Sequence, residues 1–209
     1  LFFLFGFISF LIGIYWLYIS IQIIGGSPIW LAILLILLLS IAGGLFYAVA
    51  GFLISISFRK LHSDYLAICF LAPAIWTLLE IIRAYAFSGF PWFTLGYSQI
   101  NNFLVAWAPI GGVFMISFIT ALIASFLLLI IIKKRSYLDM SFLFIIISTS
   151  IFLSSVEWTE QTDDELSVAL VQGGVAQEKK WLRSEFLKTL DLYKNSLLNL
   201  ENTNLVIWP

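Results

Sequence analysis

The sequence predicts an α-helical membrane domain of about five spans, followed by the first β-α-β unit of an α/β domain. The composition is 61% hydrophobic and 11% charged, whereas an ordinary soluble domain carries about 25% charged residues. The mean hydropathy is +1.02. The few charges are unevenly placed, because nine of the twelve acidic residues, by direct count, follow Ser155. An apolar membrane part and a short polar part therefore share one chain.

Two long runs of the sequence carry no Asp, Glu, Lys, Arg or His, from Leu1 to Phe58 and from Ala84 to Ile132. A spanning helix needs roughly 20 apolar residues, since a rise of about 1.5 Å per residue must cover about 30 Å of hydrocarbon. Breaks in the apolar pattern divide residues 1–156 into a helical domain with these candidate spans: about 1–23, 29–58, 65–86, 103–132 and 137–155.

The positions of the basic residues predict the orientation. Arg59 and Lys60 lie in one predicted loop, and residues 133–135 (Lys-Lys-Arg) lie in another, two spans later. The loops between them have no basic residue, and the positive-inside rule places the basic loops in the cytoplasm. Everything after Ser155 is then expected on the extracytoplasmic side.

The polar C-terminal segment predicts a linker at 157–165 and the start of an α/β domain at 166–209. Leu166–Gln172 and Leu205–Trp208 are short apolar strands, and the segment from Trp181 to about Asn199 has helical spacing. The order strand, helix, strand favours two parallel strands joined by a right-handed connection. About 44 residues cannot form a stable α/β domain. More chain is therefore expected after Pro209, and both ends of this sequence are interpreted as cut.

Charge and cysteine content exclude several classes of function. A formal charge of −1 argues against an electrostatic nucleic-acid partner. The single cysteine, Cys69, lies inside an apolar run, so neither a disulfide framework nor a thiolate metal site is expected. No cofactor is expected either.

Several sequence blocks resemble the bacterial apolipoprotein N-acyltransferases. The run Gly89-Phe90-Pro91-Trp92-Phe93-Thr94-Leu95-Gly96-Tyr97-Ser98-Gln99 is similar to a signature of that family. The other blocks follow the family order: Gly13–Ser20 with Gly25, Gly26 and Pro28; Pro73–Trp76 with Glu80 and Arg83; Ala108–Ile110 with Gly112; and Val171–Gly173, Gln177, Lys180, Trp181 and Val206–Pro209. The last block is similar to the opening of a nitrilase-like carbon-nitrogen hydrolase domain.

The resemblance implies acyl transfer at the outer face of the bacterial inner membrane. A fatty acyl chain would pass from a phospholipid donor, through a cysteine thioester, to the α-amine of a diacylglyceryl apolipoprotein acceptor. The family uses a Glu-Lys-Cys triad, which is expected after Pro209. Cys69 is predicted near the cytoplasmic start of a span, so it is not that nucleophile. The chain as given is therefore expected to be inactive, and no catalytic residue is assigned within it.

Five residues are predicted to bind substrate: Glu80, Arg83, Trp92, Tyr97 and Trp181. Glu80 and Arg83 are spaced i to i+3, so they could instead neutralise each other as a surface anchor near the headgroups. Trp92 and Tyr97 could be interfacial belt residues, although Gly89, Pro91 and Gly96 favour a shaped loop. Trp181 could simply be the apolar start of a helix. The resemblance favours a gating role for it.

Two other classes of function stay open on the sequence. A multi-span transporter would need inverted repeats and helices interrupted at the midplane, and no internal repeat is evident. A non-catalytic membrane scaffold with a degenerate hydrolase domain would lack the triad. The pairs Gly43-Gly44 and Gly111-Gly112 are interpreted as points of close helix packing rather than ligand sites.

Overall fold

The computed structural model describes residues 1–60, 64–86, 89–132, 137–162, 165–180, 182–197, 200 and 203–208. The chain divides into two compact units. The first comprises Leu1–Tyr18 and Ile29–Trp158, and the second comprises Ile19–Pro28 and Thr159–Pro209.

Within the described residues, four helices are long and apolar enough to cross a membrane: Ile29–Lys60, Ala67–Tyr85, Phe103–Ile132 and Tyr137–Ser154. They match the second to fifth predicted spans. The second of these helices follows the short helix α3 (Asp64–Leu66) and begins with a π-helical segment at Ala67–Leu71. The longer α-helical parts are α2 (Ile29–Lys60), α4 (Ala72–Tyr85), α5 (Ala108–Ile132) and α6 (Tyr137–Ser154).

The structure does not show one continuous helix over the predicted first span, residues 1–23. Helix α1 (Phe2–Gly13) ends at Ile14, whose φ of −107° and ψ of 7° leave the helical region. Short-range bonds follow, from Leu17 N to the Ile14 carbonyl at 2.9 Å and from Tyr18 N to the Tyr15 carbonyl at 3.0 Å. Residues Ile19–Ile24 are π-helical. An apolar run alone does not reveal such turns, because no polar residue marks them.

Glycine–aromatic contacts pack α1 against α2. Gly43 faces the ring of Phe10, and Gly51 faces the ring of Phe2. The later residue of α1, Phe10, contacts the earlier residue of α2, Gly43, so the two helices are antiparallel. In a third contact the glycine, Gly6, belongs to α1 and the aromatic residue, Tyr47, belongs to α2. A Cβ added at Gly6 would lie 2.7 Å from the Tyr47 ring. Small residues let apolar helices approach closely where no hydrophobic effect drives them together. The close-packing interpretation of Gly43-Gly44 is confirmed.

The interpretation of Gly111-Gly112 as a close-packing point is wrong for Gly112. Its φ of 65° and ψ of −160° lie outside the helical region and break α5, and an added Cβ would meet nothing within 4 Å. Only glycine adopts this conformation readily. Beyond the break, α5 supplies most of a buried apolar cluster, and the rest comes from α6, the Ala67–Leu71 segment and the 3-10 segment Phe103–Trp107. The cluster comprises Cys69, Leu104, Ile116, Ile119, Leu122, Phe126, Leu129 and Ile146.

The second unit contains a small parallel sheet. Strands β1 (Val168–Leu170) and β2 (Leu205–Ile207) pair in parallel, with Ala169 opposite Val206. This confirms the predicted parallel pairing. Helices α7 (Gln177–Lys180) and α8 (Phe186–Leu197) lie between them in the chain, so the main helix starts later than the predicted Trp181. Two strands do not establish a nitrilase-like domain, which stays a prediction.

Candidate functional site in the first unit

The loop after α4, Gly89–Asn102, is bound to the end of that helix. Gly89 N donates to the Ala86 carbonyl at 2.9 Å, and Phe90 N donates to the Arg83 carbonyl at 3.0 Å. Gly89 has a φ of 82°, and a Cβ there would collide with the Ala84 carbonyl oxygen. Glycine is therefore required at this turn.

Glu80 connects the loop to the interior of α4. Its Oε1 accepts a hydrogen bond from Leu95 N at 2.8 Å and another from the Trp76 indole N–H at 2.9 Å. The Glu80 side chain is 5% exposed. A buried backbone N–H needs an acceptor, and here a side-chain carboxylate supplies it.

Ser117 of α5 holds the next amide of the loop. Gly96 N donates to Ser117 Oγ at 2.8 Å, and Ser117 is fully buried. A Cβ on Gly96 would collide with the Val113 carbonyl oxygen, so the loop backbone lies directly against α5. Two consecutive loop amides are thus fixed by side chains from two different helices.

Trp92 belongs to an aromatic cluster that connects the loop to α1. Its ring lies 4.8 Å from that of Phe90 and 5.1 Å from that of Trp16, measured between centroids. Phe90 and Phe93 both contact Phe10, at 5.8 Å and 5.1 Å. Trp92 itself is 40% exposed, so one part of the indole packs and the other faces outwards.

A partly open pocket lies between α2 and α4, lined by Phe46, Tyr47, Ala50, Trp76, Leu79, Glu80 and Arg83. Arg83 is 4% exposed, and its guanidinium carbon lies 5.4 Å from the centroid of the Phe10 ring. Both terminal nitrogens of Arg83 and Oε2 of Glu80 are buried without a hydrogen-bond partner among the described residues. The pocket therefore presents one carboxylate oxygen that can accept a hydrogen bond and two guanidinium nitrogens that can donate one. The rest of its lining is mostly apolar.

The structure brings three of the five predicted site residues into one neighbourhood. Glu80 and Arg83 line the pocket. Trp92 contacts Phe90, Phe90 contacts Phe10, and the Phe10 ring lies beside the Arg83 guanidinium. The two charged residues are not a self-paired surface anchor. They are buried, and the one ion pair within 4.0 Å among the described residues joins Lys188 and Glu185 instead.

Of the other two predicted residues, only Tyr97 is described. Tyr97 is 54% exposed, and within the described chain its side chain has no hydrogen bond or ring contact. Trp181 lies outside the described residues.

Sequence reasoning missed Tyr47 and Ser117. The Tyr47 ring lies 5.1 Å from the Trp76 ring across the pocket. A phenol in the middle of a charge-free span, close after Gly43-Gly44, is the signal that could have identified it. Ser117 gave no such signal, because a single hydroxyl in an apolar helix more often bonds its own backbone, as Ser40 does with the Ile36 carbonyl.

The pocket suits binding rather than covalent chemistry. Its described lining contains no Ser, Cys, Thr or Lys side chain, and the single cysteine, Cys69, is buried in the apolar cluster of α5. In the part of the chain that the structure describes, no group of three or more His, Cys, Asp or Glu side chains could hold a metal ion. What the arrangement can do is recognise a charged group next to apolar surface.

Fold and site together define a multi-span helical membrane protein with a buried charged pocket beside a shaped loop. Residues 1–126 match the family model described as the Apolipoprotein N-acyltransferase N-terminal domain. The chain belongs to the apolipoprotein N-acyltransferase family.

Similar proteins carry the same name. Those called Apolipoprotein N-acyltransferase from Coxiella burnetii, Wigglesworthia glossinidia brevipalpis and Vibrio cholerae are 34%, 35% and 32% identical to this chain. Each match covers 99% of the chain but only 43%, 41% and 41% of the respective relative. The chain thus spans less than half the length of these relatives.

Proposed function

We propose that the complete protein carrying this chain is a phospholipid:apolipoprotein N-acyltransferase of the bacterial inner membrane. The acceptor is the α-amine of a diacylglyceryl-cysteine on an apolipoprotein. The soluble segment after Ser155 is proposed to lie on the periplasmic side, as the alternation of basic loops predicts. Membership of the family and the membrane helices support this function.

The proposed reaction has two steps. A cysteine thiolate attacks the ester carbonyl of the donor, the ester C–O bond breaks, and a lysophospholipid leaves with a proton. The acceptor amine then attacks the thioester carbonyl, the C–S bond breaks, an amide forms as the thiolate is regenerated, and the proton that the amine loses passes to the general base. The Glu-Lys-Cys triad that performs these steps is expected beyond Pro209, so this chain contributes binding surface.

The observation that carries the proposal is Arg83 in its aromatic pocket, with no anion bound to it among the described residues. A guanidinium buried without an anion is costly, because its desolvation is not compensated. Two terminal N–H groups in a fixed plane suit a bidentate oxyanion such as a phosphodiester. Tyr47 and Trp76 supply the apolar surface that lipid chains or glycerol carbons require. We therefore assign Arg83 to the phosphate of the lipid donor.

Trp92 and Tyr97 are proposed to contact the lipid substrate from the loop. Large aromatic rings bury apolar surface on one side and tolerate headgroups on the other. Their exposure supports this role, since neither ring is enclosed by the protein. Trp181 is proposed, on its place in the sequence alone, to gate the entrance of the site.

The transporter alternative gains no support. Such a protein needs helices interrupted at the membrane midplane. In the described chain the break at Gly111-Gly112 comes close after the start of α5 at Ala108, near one end of the span.

The test uses the complete protein in phospholipid vesicles, with acyl-enzyme formation and transfer to a diacylglyceryl lipopeptide scored separately. Arg83→Gln should slow acyl-enzyme formation about 10- to 100-fold, the range expected when a hydrogen bond to a charged group is lost. Arg59→Gln, an exposed cation at the end of α2, is the matched control and should leave the rate unchanged. Equal rates for both variants would remove Arg83 from the site. No acyl transfer by the complete wild-type protein would refute the function itself.

A further inference from the structure

We propose that Glu80 is a positioning residue, which holds the Gly89–Asn102 loop in the shape that presents Trp92 and Tyr97. This inference rests on the proposed function, in which that loop contacts the lipid substrate. It assigns to Glu80 a role different from direct substrate contact.

The first argument is the geometry of the Glu80 carboxylate. Oε1 is already occupied by two donors, Leu95 N at 2.8 Å and the Trp76 indole at 2.9 Å. The Trp76 bond joins residues one helical turn apart and fixes the carboxylate on the surface of α4. The Leu95 bond then joins this fixed acceptor to the loop. The carboxylate therefore links helix α4 to the loop through hydrogen bonds.

The second argument is that the loop conformation needs such a link to a helix. Phe93 has a φ of 61°, which is strained for an aromatic residue. Strain of this kind persists only where the surroundings enforce it. The bond from Thr94 Oγ1 to the Pro91 carbonyl, at 2.6 Å, stays within the loop, and Ser117 holds Gly96 from α5. Glu80 supplies the only side-chain bond from α4 to the described part of this loop.

The third argument is that the link between helix and loop requires a hydrogen-bond acceptor at position 80 and not a negative charge. Glu80 forms no ion pair with Arg83, although both line one pocket in the described chain. A glutamine has the same length and a carbonyl oxygen that can accept both bonds. An alanine has none, and it would leave Leu95 N without its partner. The two substitutions therefore separate positioning from charge.

Hydrogen exchange of the loop amides tests this directly in the complete protein in lipid nanodiscs. In Glu80→Ala, the peptide that contains Leu95 and Gly96 should exchange at least about tenfold faster than in wild type, since a protecting bond is lost. Glu80→Gln should restore wild-type protection. Thr77→Val is the matched control, because Thr77 lies one turn away on the same helix and its hydroxyl has no partner among the described residues. It should leave the exchange unchanged.

Acyl transfer is measured on the same variants. Glu80→Ala should lower kcat/KM about tenfold or more, which corresponds to the loss of one hydrogen bond to a charged group, and Glu80→Gln should recover most of that loss. If Glu80→Gln restores protection but not acyl transfer, the position of the loop does not account for activity, and the proposed role of Glu80 in presenting Trp92 and Tyr97 is refuted. Unchanged protection in Glu80→Ala also refutes it.

A second variant keeps the test decisive if Glu80→Ala does not fold. Ser117→Ala removes the hydrogen-bond partner of the adjacent Gly96 amide without removing a charge. In the double variant Glu80→Gln/Ser117→Ala, the Gly96 amide should lose its protection from exchange while the Leu95 amide stays protected. Loss of protection at both amides would show that the substituted glutamine does not hold Leu95 and would overturn the proposal. A wild-type protein without acyl transfer would refute only the proposed function, because the exchange measurement does not depend on activity.

Discussion

The ring of Phe93 lies directly against Gly13, in space that any side chain at position 13 would occupy. The two residues come from distant parts of the sequence, one at the end of α1 and one in the loop after α4. This contact joins the end of α1 to the loop. Both positions fall within the sequence blocks that resemble the family signature.

Gly13→Ala should destabilise the protein by about 1–3 kcal/mol, because the added methyl group collides with the Phe93 ring and forces it to move. Thermal unfolding in detergent measures the change. Phe93→Gly removes both the ring and the positive-φ strain, so the double variant Gly13→Ala/Phe93→Gly should lose less than the two single variants summed. Additive losses would contradict the contact.

Thr77→Val should stabilise the protein by about 1 kcal/mol, since the buried Thr77 hydroxyl has no partner in the described chain and a methyl group has the same size. Thr120→Val is the comparison, because Thr120 Oγ1 donates to the Ile116 carbonyl at 2.7 Å and that bond would be lost. Midpoints of thermal unfolding should rank Thr77→Val above wild type and Thr120→Val at or below it. The reverse order would mean that the Thr77 hydroxyl is satisfied.

Tyr65→Phe should destabilise the protein by about 1–3 kcal/mol, because the Tyr65 hydroxyl donates to Asp139 Oδ1 at 2.9 Å and Asp139 is fully buried. The control is Tyr137→Phe, whose ring is 88% exposed and whose loss should be close to zero. Equal unfolding midpoints for the two variants would show that the Tyr65 bond contributes nothing.

Membrane topology is tested with single cysteines placed in the complete protein, against a background in which the other accessible cysteines are removed. Ser63→Cys and Ser136→Cys should be protected from an impermeant thiol reagent in intact cells, while Thr162→Cys should be labelled. Labelling at position 63 with protection at position 162 would invert the orientation. The proposed function would fall with it.

Trp181→Ala should slow acyl transfer strongly while membrane insertion and protein abundance stay near normal. In the proposed gating role, the indole would close the site to water that hydrolyses the thioester. Trapping the acyl-enzyme separates thioester formation from transfer. A variant that turns over at the wild-type rate would reduce Trp181 to a packing residue.

The sequence predicted the features that depend on composition. Four of the five spans agree with the structure, since an apolar run of sufficient length has few alternatives in a bilayer. The parallel pairing of β1 and β2 followed from the order strand, helix, strand. The loop at Gly89–Asn102 was identified from its glycines, its proline and its aromatic residues.

Features that depend on distant contacts could not be predicted. The turn after Gly13 lies in a run with no charged residue, and its partner Phe93 is far away in the sequence. The bond between Glu80 and Leu95 likewise joins residues fifteen positions apart, beyond any helical spacing. From spacing alone, Glu80 and Arg83 suggested an ion pair, but burial and the competing Leu95 and Trp76 donors direct the carboxylate elsewhere.

The break at Gly112 gives the span a defined length. The helical stretch after it, roughly 20 residues, rises about 30 Å, which equals the thickness of the hydrocarbon layer. Ser117 lies little more than one turn beyond the break. Gly96, bonded to Ser117, carries the loop to the same depth. In the proposed function, this helix would set the depth at which the loop meets the ester bond that acyl transfer breaks.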